Sequence, residues 1–370
     1  MKFQLVSEKV QEVYKKIEKL LNARSVIPIL SGVLVQVRQD CIVFTASDGT
    51  ESVIHRVLSS EEDGVVVISE GKAVFTKEAL AVSKKIKGLM TFETTENNVV
   101  VSQDKTKLEF PVLDGEEFPK IEFEPTLTPI VFTGKEFLDI VHQTIFAVSQ
   151  SETRPILTGV NFQFGKDGNT FVATDSHRLA QIELGAAPID VTLTVPAKTL
   201  DNAVKTFDFS NDVMVLATPN KIAFGNGNTM LSTRLLEGNY PDTSRLIPKA
   251  DFETELTVNK KEFFEALDLL TEISKQKTNV VQISINGLFV EFSATNGTSK
   301  GKKEIAFTNL EGNDNFSLSF SGEFVKNALK AIDSEEVKLS FAGPMKPFLI
   351  RPADTEESSI VQLILPVRNN

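Results

Sequence analysis

Two stretches decide how this chain of 370 residues is read: PILSGVLVQV at Pro28–Val37 and PILTGVNFQF at Pro155–Phe164. They lie 127 residues apart, and at the same offset FTASDGT from Phe44 meets FVATDSH from Phe171. Self-similarity held over two separate motifs at one spacing marks a repeated structural unit. A third, fainter copy is FSATNGT at Phe292–Thr298, which closes a run that includes VVQISINGLFVEF. LDGEEFP at Leu113–Pro119 returns as LEGNYP at Leu236–Pro241, near the end of the second unit. Three units of about 120 residues follow, with joints near EPTLTP (124–129) and PKADFE (248–253). The expected domains are 1–123, 128–247 and 252–370.

Each unit has the same order of elements. A short strand leads into an amphipathic helix, alternating strands follow, then a second helix and more strands. In SEKVQEVYKKIEKLLN, the residues Val10, Val13, Tyr14, Ile17, Leu20 and Leu21 fall at spacings of three and four, one apolar stripe behind a Ser-Glu start signal. GKEFLDIVHQTIFAVS and NKKEFFEALDLLTEIS hold the matching place in units two and three, and TKEALAVSKKIKG, AKTLDNAVKTF and GEFVKNALKAID are the second helices. Runs such as GVLVQVRQDCIVFTASDG alternate apolar and polar residues before Asp-Gly or Asn-Gly turns, which predicts antiparallel strands with one face buried. With 41% apolar residues the units can each build a core. The expected class is α+β, with two helices per unit against antiparallel sheet.

A single cysteine, Cys41, rules out an internal disulfide framework, and MKFQLVSEKVQ lacks the basic-then-apolar layout of a secretion signal, so a cytosolic protein is expected. No apolar run approaches the roughly 18 residues of a membrane span. A net charge of −11 reads first as evidence against nucleic acid, but net charge does not say where charges sit. The six helical windows (8–24, 76–87, 134–149, 197–207, 259–277 and 322–333) hold 18 basic and 13 acidic residues, a net of +5 against −16 for the remainder. If the helices share one surface, that surface is relatively electropositive on an acidic protein.

The stretch Ala173–Ala180, ATDSHRLA, places Asp175, Ser176 and His177 side by side. A hydrolase triad needs three groups converging in space, whereas consecutive residues point in different directions. The equivalents in the other units are SDG at Ser47–Gly49 and TNG at Thr295–Gly297, so the aspartate and the small residue read as turn chemistry. His177 and Arg178 occur only in the middle copy. A G-x-S-x-G elbow, a phosphate-loop spacing, a full dinucleotide fingerprint and a His/Cys cluster for zinc are all missing from the sequence. No enzyme and no cofactor are expected.

The threefold repeat, RSVIPILSG, SETRPILTGV, ATDSHRLA, LLEGNYPDTSRLIP and the terminal LILPVR, in this order, resemble the beta subunit of bacterial DNA polymerase III, the sliding-clamp family. The resemblance spans the whole chain. It implies the DNA clamp fold and a head-to-tail homodimer, a six-domain ring lined by helices that encircles double-stranded DNA without reading its sequence. It implies partners that dock short peptide motifs: a clamp loader, the replicative polymerase, repair polymerases, mismatch-repair proteins and ligase. The competing reading is a scaffold that binds such peptides without encircling DNA.

By the same resemblance the peptide pocket comprises Leu157, Thr174, His177, Arg178 and Leu179, with Pro241, Arg245 and Leu246 at the end of unit two. The tail Leu363, Ile364, Leu365, Pro366, Val367 and Arg368 closes it. Such a concave apolar site suits an extended segment with hydrophobic anchors and a glutamine. Arg24 and Gln150 are implied to face DNA, and Lys84 and Lys85 are added on their position. Leu108 and Phe110 are implied to meet the partner's counterpart of Ile273, with Glu272 placed to pair Lys105 or Lys107. Ser176 stands where the family favours glycine, and Leu365 and Val367 where it favours methionine.

Overall fold

The computed structural model describes residues 1–21, 27–121, 123–248, 251–274, 279–353 and 359–368. Among them lie six α-helices: α1 (Ser7–Leu21), α2 (Lys77–Ser83), α3 (Gly134–Thr144), α4 (Ala197–Thr206), α5 (Lys260–Ser274) and α6 (Gly322–Ala331). All strand pairing is antiparallel, so the α+β expectation holds. Contacts divide the chain into two compact units, Met1–Leu138 with Lys198–Leu235, and Asp139–Ala197 with Leu236–Asn370. These units are not the three repeats. The middle repeat contributes half of its strands to each.

The reason is edge pairing. In the first unit the middle-repeat strand Thr229–Arg234 pairs with Glu51–Leu58 of the first repeat, which makes one continuous sheet of 13 strands. Backbone groups at a strand edge are obligatory hydrogen-bonding groups, so a neighbouring edge in register satisfies both rows at once. In the second unit Arg178–Leu184 of the middle repeat pairs with Ile360–Ile364, within a sheet of nine strands, and a further sheet of four strands lies beside it in the chain's last repeat.

The helices form where the spacing predicts. All six stripe residues of α1 are buried, and α1 packs on the strands Cys41–Ser47 and Glu51–Leu58. In α5 the buried set is Phe263, Ala266, Leu267, Leu270, Thr271 and Ser274, with the Phe263 ring stacked 4.9 Å from Phe292. One expectation fails locally. The strand Cys41–Ser47 was expected to alternate, yet all seven positions are buried, because Thr45 and Ser47 are small enough to enter the interior and Ser47 bonds there to the backbone of Glu51.

The repeated turn has one hydrogen-bond scheme in all three copies. Asp48 Oδ1 accepts from the N–H groups of Thr50 and Glu51 at 2.9 and 2.8 Å. Asp175 Oδ1 accepts from His177 and Arg178 at 2.9 and 3.0 Å, and Asn296 Oδ1 from Thr298 and Ser299 at 3.1 and 2.7 Å. The preceding hydroxyl accepts from the residue two further on in each case: Gly49, Ser176 and Gly297. That residue has a positive φ of 94°, 77° and 95° respectively. Glycine takes this conformation freely and serine does not.

Two buried titratable groups sit in the first unit. Glu51 is 3% exposed, receives two bonds from Asn202 Nδ2 at 3.1 and 3.0 Å, and is pushed up to about 7 by burial. His55 contacts Thr229 Oγ1 at 2.9 Å, and burial lowers it to about 4, so it is neutral at neutral pH and its 3.6 Å approach to Glu12 is no ion pair there.

Two outcomes are expected. Ser176→Gly should raise the melting temperature, with a gain of about 0.5–1 kcal/mol, while Gly49→Ser and Gly297→Ser should each cost about 1 kcal/mol; thermal melts of the three variants check this. Because the folded pKa of Glu51 is raised, its favourable state is fully present below about 4.5 and is lost as pH rises through about 7. Glu51→Gln should therefore exceed the parent in stability by roughly 1–3 kcal/mol at pH 8 and match it at pH 4. Melts at the two pH values would contradict this if the variant's advantage were the same at both.

Candidate peptide-docking groove

The candidate groove is built wholly within the second unit, from the end of one ladder. Arg178 pairs with Ile364 and Leu179 with Leu363. Beyond the last paired residue the tail stays attached, because Leu365 N–H donates to His177 O at 3.0 Å and Val367 N–H to Ser319 O at 2.7 Å. The tail is thus an ordered strip along the turn that carries Asp175.

Period-two alternation sorts the tail residues by face. Leu179 and Leu363 cluster with Val172, Leu349 and Val361, and Leu365, Tyr240, Ile247 and Phe252 pack on that cluster from outside. Ile364, one residue on, belongs to the large core formed by α5, α6 and their strands, and is 1% exposed. Of the expected wall residues, Ile364 is therefore turned away from the groove and supports it from behind. Leu157 is buried in the short helical turn Pro155–Thr158, and Thr174 is buried with its hydroxyl bonded to Arg178 O at 2.6 Å. Pro241, Arg245, Leu246, His177 and Arg368 are exposed, and Pro366 and Val367 half-buried. Leu246, at 52% exposure, is a large apolar side chain left in solvent beside Ile247.

Arg178 was expected as a contact residue, and the structure makes it an internal strut. It is 8% exposed, its Nε donates to Asp175 Oδ2 at 2.9 Å, and its guanidinium lies 4.4 Å from the Phe324 ring centroid and 5.5 Å from that of Phe146. Burial lowers its pKa, opposed by Asp175. Both carboxylate oxygens of Asp175 are thus committed, one to the turn and one to Arg178, which leaves no role for this acid beside His177 as a proton relay. The buried Nη1 of Arg178 and Oε1 of Gln362 lack partners among the described residues. Gln362 is held through its Nε2, which donates to Gln143 O at 3.2 Å.

Tyr240 is a site residue the sequence reading passed over. Its hydroxyl accepts from Thr174 N–H at 3.0 Å, fixing the last residue of the strand before the turn, and burial raises its pKa strongly. The signal was present: LEGNYP aligns with LDGEEFP, so a tyrosine replaces Phe118 in the middle copy alone. A hydroxyl added to a buried ring needs a partner.

The remaining expected residues lie elsewhere. Leu108 and Phe110 are half-buried on the strand Thr106–Asp114, whose Thr106–Pro111 portion pairs with Asn98–Gln103 on one side and has no described partner on the other. Ile273 packs on the α5 core, and Lys300–Ile305 is an edge strand of the four-stranded sheet beside it, where Gly301 approaches Ile273. Lys107 Nζ is 3.0 Å from Glu109. Gln150 and Lys85 are exposed, whereas Lys84 is half-buried with its Nζ 3.6 Å above the Tyr14 ring. Arg24 lies outside the described residues. Among the described residues there is no helix long and apolar enough to cross a membrane and no group of three acidic, His or Cys side chains that could hold a metal ion.

Three family models match along the chain: the DNA polymerase III beta subunit N-terminal domain over residues 1–122, the central domain over 132–242 and the C-terminal domain over 244–368. The beta sliding clamp of Bacillus subtilis (strain 168) is 33% identical over 383 residues, covering 100% of both chains. That of Staphylococcus epidermidis (strain ATCC 12228) is 33% identical over 95% of this chain and 94% of its own. Among solved structures, the DNA polymerase sliding clamp from Bacillus subtilis superposes with a TM-score of 0.94 at 32% identity, and the beta subunit from Streptococcus pyogenes with 0.94 at 28%, each covering 100% of both chains. With models covering nearly its whole length and full-length relatives above 30% identity, the chain belongs to the DNA polymerase III beta subunit, or beta sliding clamp, family.

Proposed function

We propose that this chain is the sliding clamp of a replicative DNA polymerase. Two copies join head to tail and encircle duplex DNA, and each offers a groove in which polymerases and other DNA-processing proteins dock short peptides. Each copy contributes three domains, 1–123, 128–247 and 252–370. Family membership over the full length supports the encircling role. The observation that carries the docking role is the tail itself, pinned by Leu365 N–H to His177 O, which sets half-buried Leu365 over the buried pair Leu179 and Leu363, while Leu246, next to Ile247 of the same cluster, is exposed. An extended peptide with two apolar anchors and a glutamine fits such a groove, and His177 and Arg245 supply polar contacts at its edge.

The dimer reading rests on two free strand edges. Thr106–Pro111 carries Leu108 and Phe110, and Lys300–Ile305 carries four basic or small residues beside Ile273. An edge row left open in a chain of this size is a template for pairing with another copy. Glu272 of one copy facing Lys105 or Lys107 of the other adds charge complementarity at that seam. On the DNA side, Arg24, Gln150, Lys84 and Lys85 provide sequence-independent contacts, weak enough for movement along the duplex. The clamp loader, repair polymerases, mismatch-repair proteins and ligase share the groove, and the protein works in the cytoplasm as a tether without a catalytic step of its own.

Leu246→Asp and His177→Ala should each weaken a fluorescein-labelled pentapeptide bearing glutamine, leucine and phenylalanine by tenfold or more in polarisation titrations. The melting temperature of Leu246→Asp should stay unchanged because the side chain is exposed. The topological role is checked by loading the protein onto nicked circular DNA and then linearising it. Retention should be lost on the linear form, and equal retention on both forms would favour the scaffold that does not encircle DNA.

A further inference from the structure

A second groove lies in the first unit, at the place the repeat makes equivalent to the peptide groove of the second. Subtracting 127 from Leu157, Thr174, Ser176 and Leu179 gives Leu30, Ser47, Gly49 and Ser52. All four line one cavity of about 250 Å³. The equivalence extends to the partner strand. Ser52 pairs with Ser232 and Glu51 with Thr233, as Leu179 pairs with Leu363 and Arg178 with Ile364, so Arg234 takes the place of Leu365. Pro119, which also lines the cavity, takes the place of Pro241.

The chemistry has changed while the geometry is kept. The leucine pair that forms the floor in the second unit is here Ser52 opposite Ser232. Apolar surface comes instead from the entrance, through Ile27, Leu30, Ile121 and Phe123. Three cations, Lys120, Lys221 and Arg234, also line the cavity, and among the described residues none of its lining is acidic. All three are exposed and, among the described residues, none forms an ion pair. Among the described residues, three carboxylates next in sequence or close to the lining are engaged elsewhere: Glu51 with Asn202, Asp48 with Lys198 and Glu116 with Lys72. On a chain with a net charge of −11, three cations without an ion pair among the described residues, around an apolar entrance and a hydroxyl floor, form a local site of the opposite sign.

We infer that this cavity is a second docking site, for a short acidic peptide segment that inserts one large apolar side chain between Leu30, Ile121 and Phe123 while its carboxylates meet Lys120, Lys221 and Arg234. The Ser232 hydroxyl donates to its backbone, while the hydroxyl oxygens of Ser52 and Thr233, whose protons go to Ser47 Oγ and Arg234 O, accept from it. The inference draws on the peptide-docking reading of the second-unit groove for the class of ligand, and on charge complementarity for its sign. The two grooves of one chain would then select different partners, a neutral glutamine-bearing segment in one and an acidic segment in the other, and could be filled together.

The test is a methyl NMR titration of the full-length protein, labelled at Ile and Leu methyl groups, with two capped pentapeptides: Glu-Glu-Leu-Phe-Glu and its neutral counterpart Gln-Gln-Leu-Phe-Gln. Saturable shifts of the Ile27, Leu30 and Ile121 methyls with the acidic peptide are expected, at least tenfold weaker with the neutral one. Lys221→Glu with Arg234→Glu, both at exposed positions, should reduce the acidic peptide's affinity tenfold or more without moving the melting temperature. The inference is overturned if no methyl of this set responds, if both peptides shift it equally, or if the acidic peptide moves only Leu363 and Leu365. Response of Leu363 and Leu365 to the neutral peptide reports on the second-unit groove separately, so failure of that groove and failure of this one are told apart.

Discussion

The ladder in which Arg178–Leu184 lies against Ile360–Ile364 is the contact on which the site depends. Its backbone bonds join two repeats into one sheet, and its end delivers the tail to the turn. Were the register to slip by one residue, Leu363 and Leu365 would exchange faces with Ile364, and the apolar strip would be replaced by residues of the opposite face. The register is fixed because both faces have firm requirements. Ile364 fills the core under α6, and Leu363 fills the cluster with Val172 and Leu179.

A parallel contact, Glu51–Leu58 against Thr229–Arg234, does the same in the first unit. The two ladders explain why compact units and sequence repeats disagree. A repeat is a unit of chain history and local propensity, whereas a compact unit is set by which edges are satisfied together. Each half of the middle repeat meets its neighbour's open edge, and these ladders across the repeat boundaries leave the middle repeat divided.

The turn at Asp175 shows how a common device is adapted. In all three copies the acid or amide caps two backbone N–H groups and a hydroxyl caps a third. Only the middle copy adds Arg178, whose guanidinium takes the second oxygen of Asp175 and spreads over Phe324. The strut ties the turn to α6. An arginine buried this deeply requires a carboxylate and an aromatic face to offset its desolvation, and both are present.

The sequence by itself determined the repeat, the helices and the common turn, because these rest on local rules: spacing of apolar residues, caps, and a side-chain oxygen that can reach only its own next few N–H groups. It also marked His177 and Arg178 as departures from the repeat. Tertiary structure alone decided what those residues do. Arg178 is an internal strut because Phe324 and Phe146, far away in sequence, cover it, and Ile364 is a core residue because of which face of its strand the large cluster occupies. The Tyr240 bond to Thr174 and the cation-lined cavity at Lys120, Lys221 and Arg234 arise from groups up to 114 residues apart. No local pattern brings such groups together; the pairing of strand edges does.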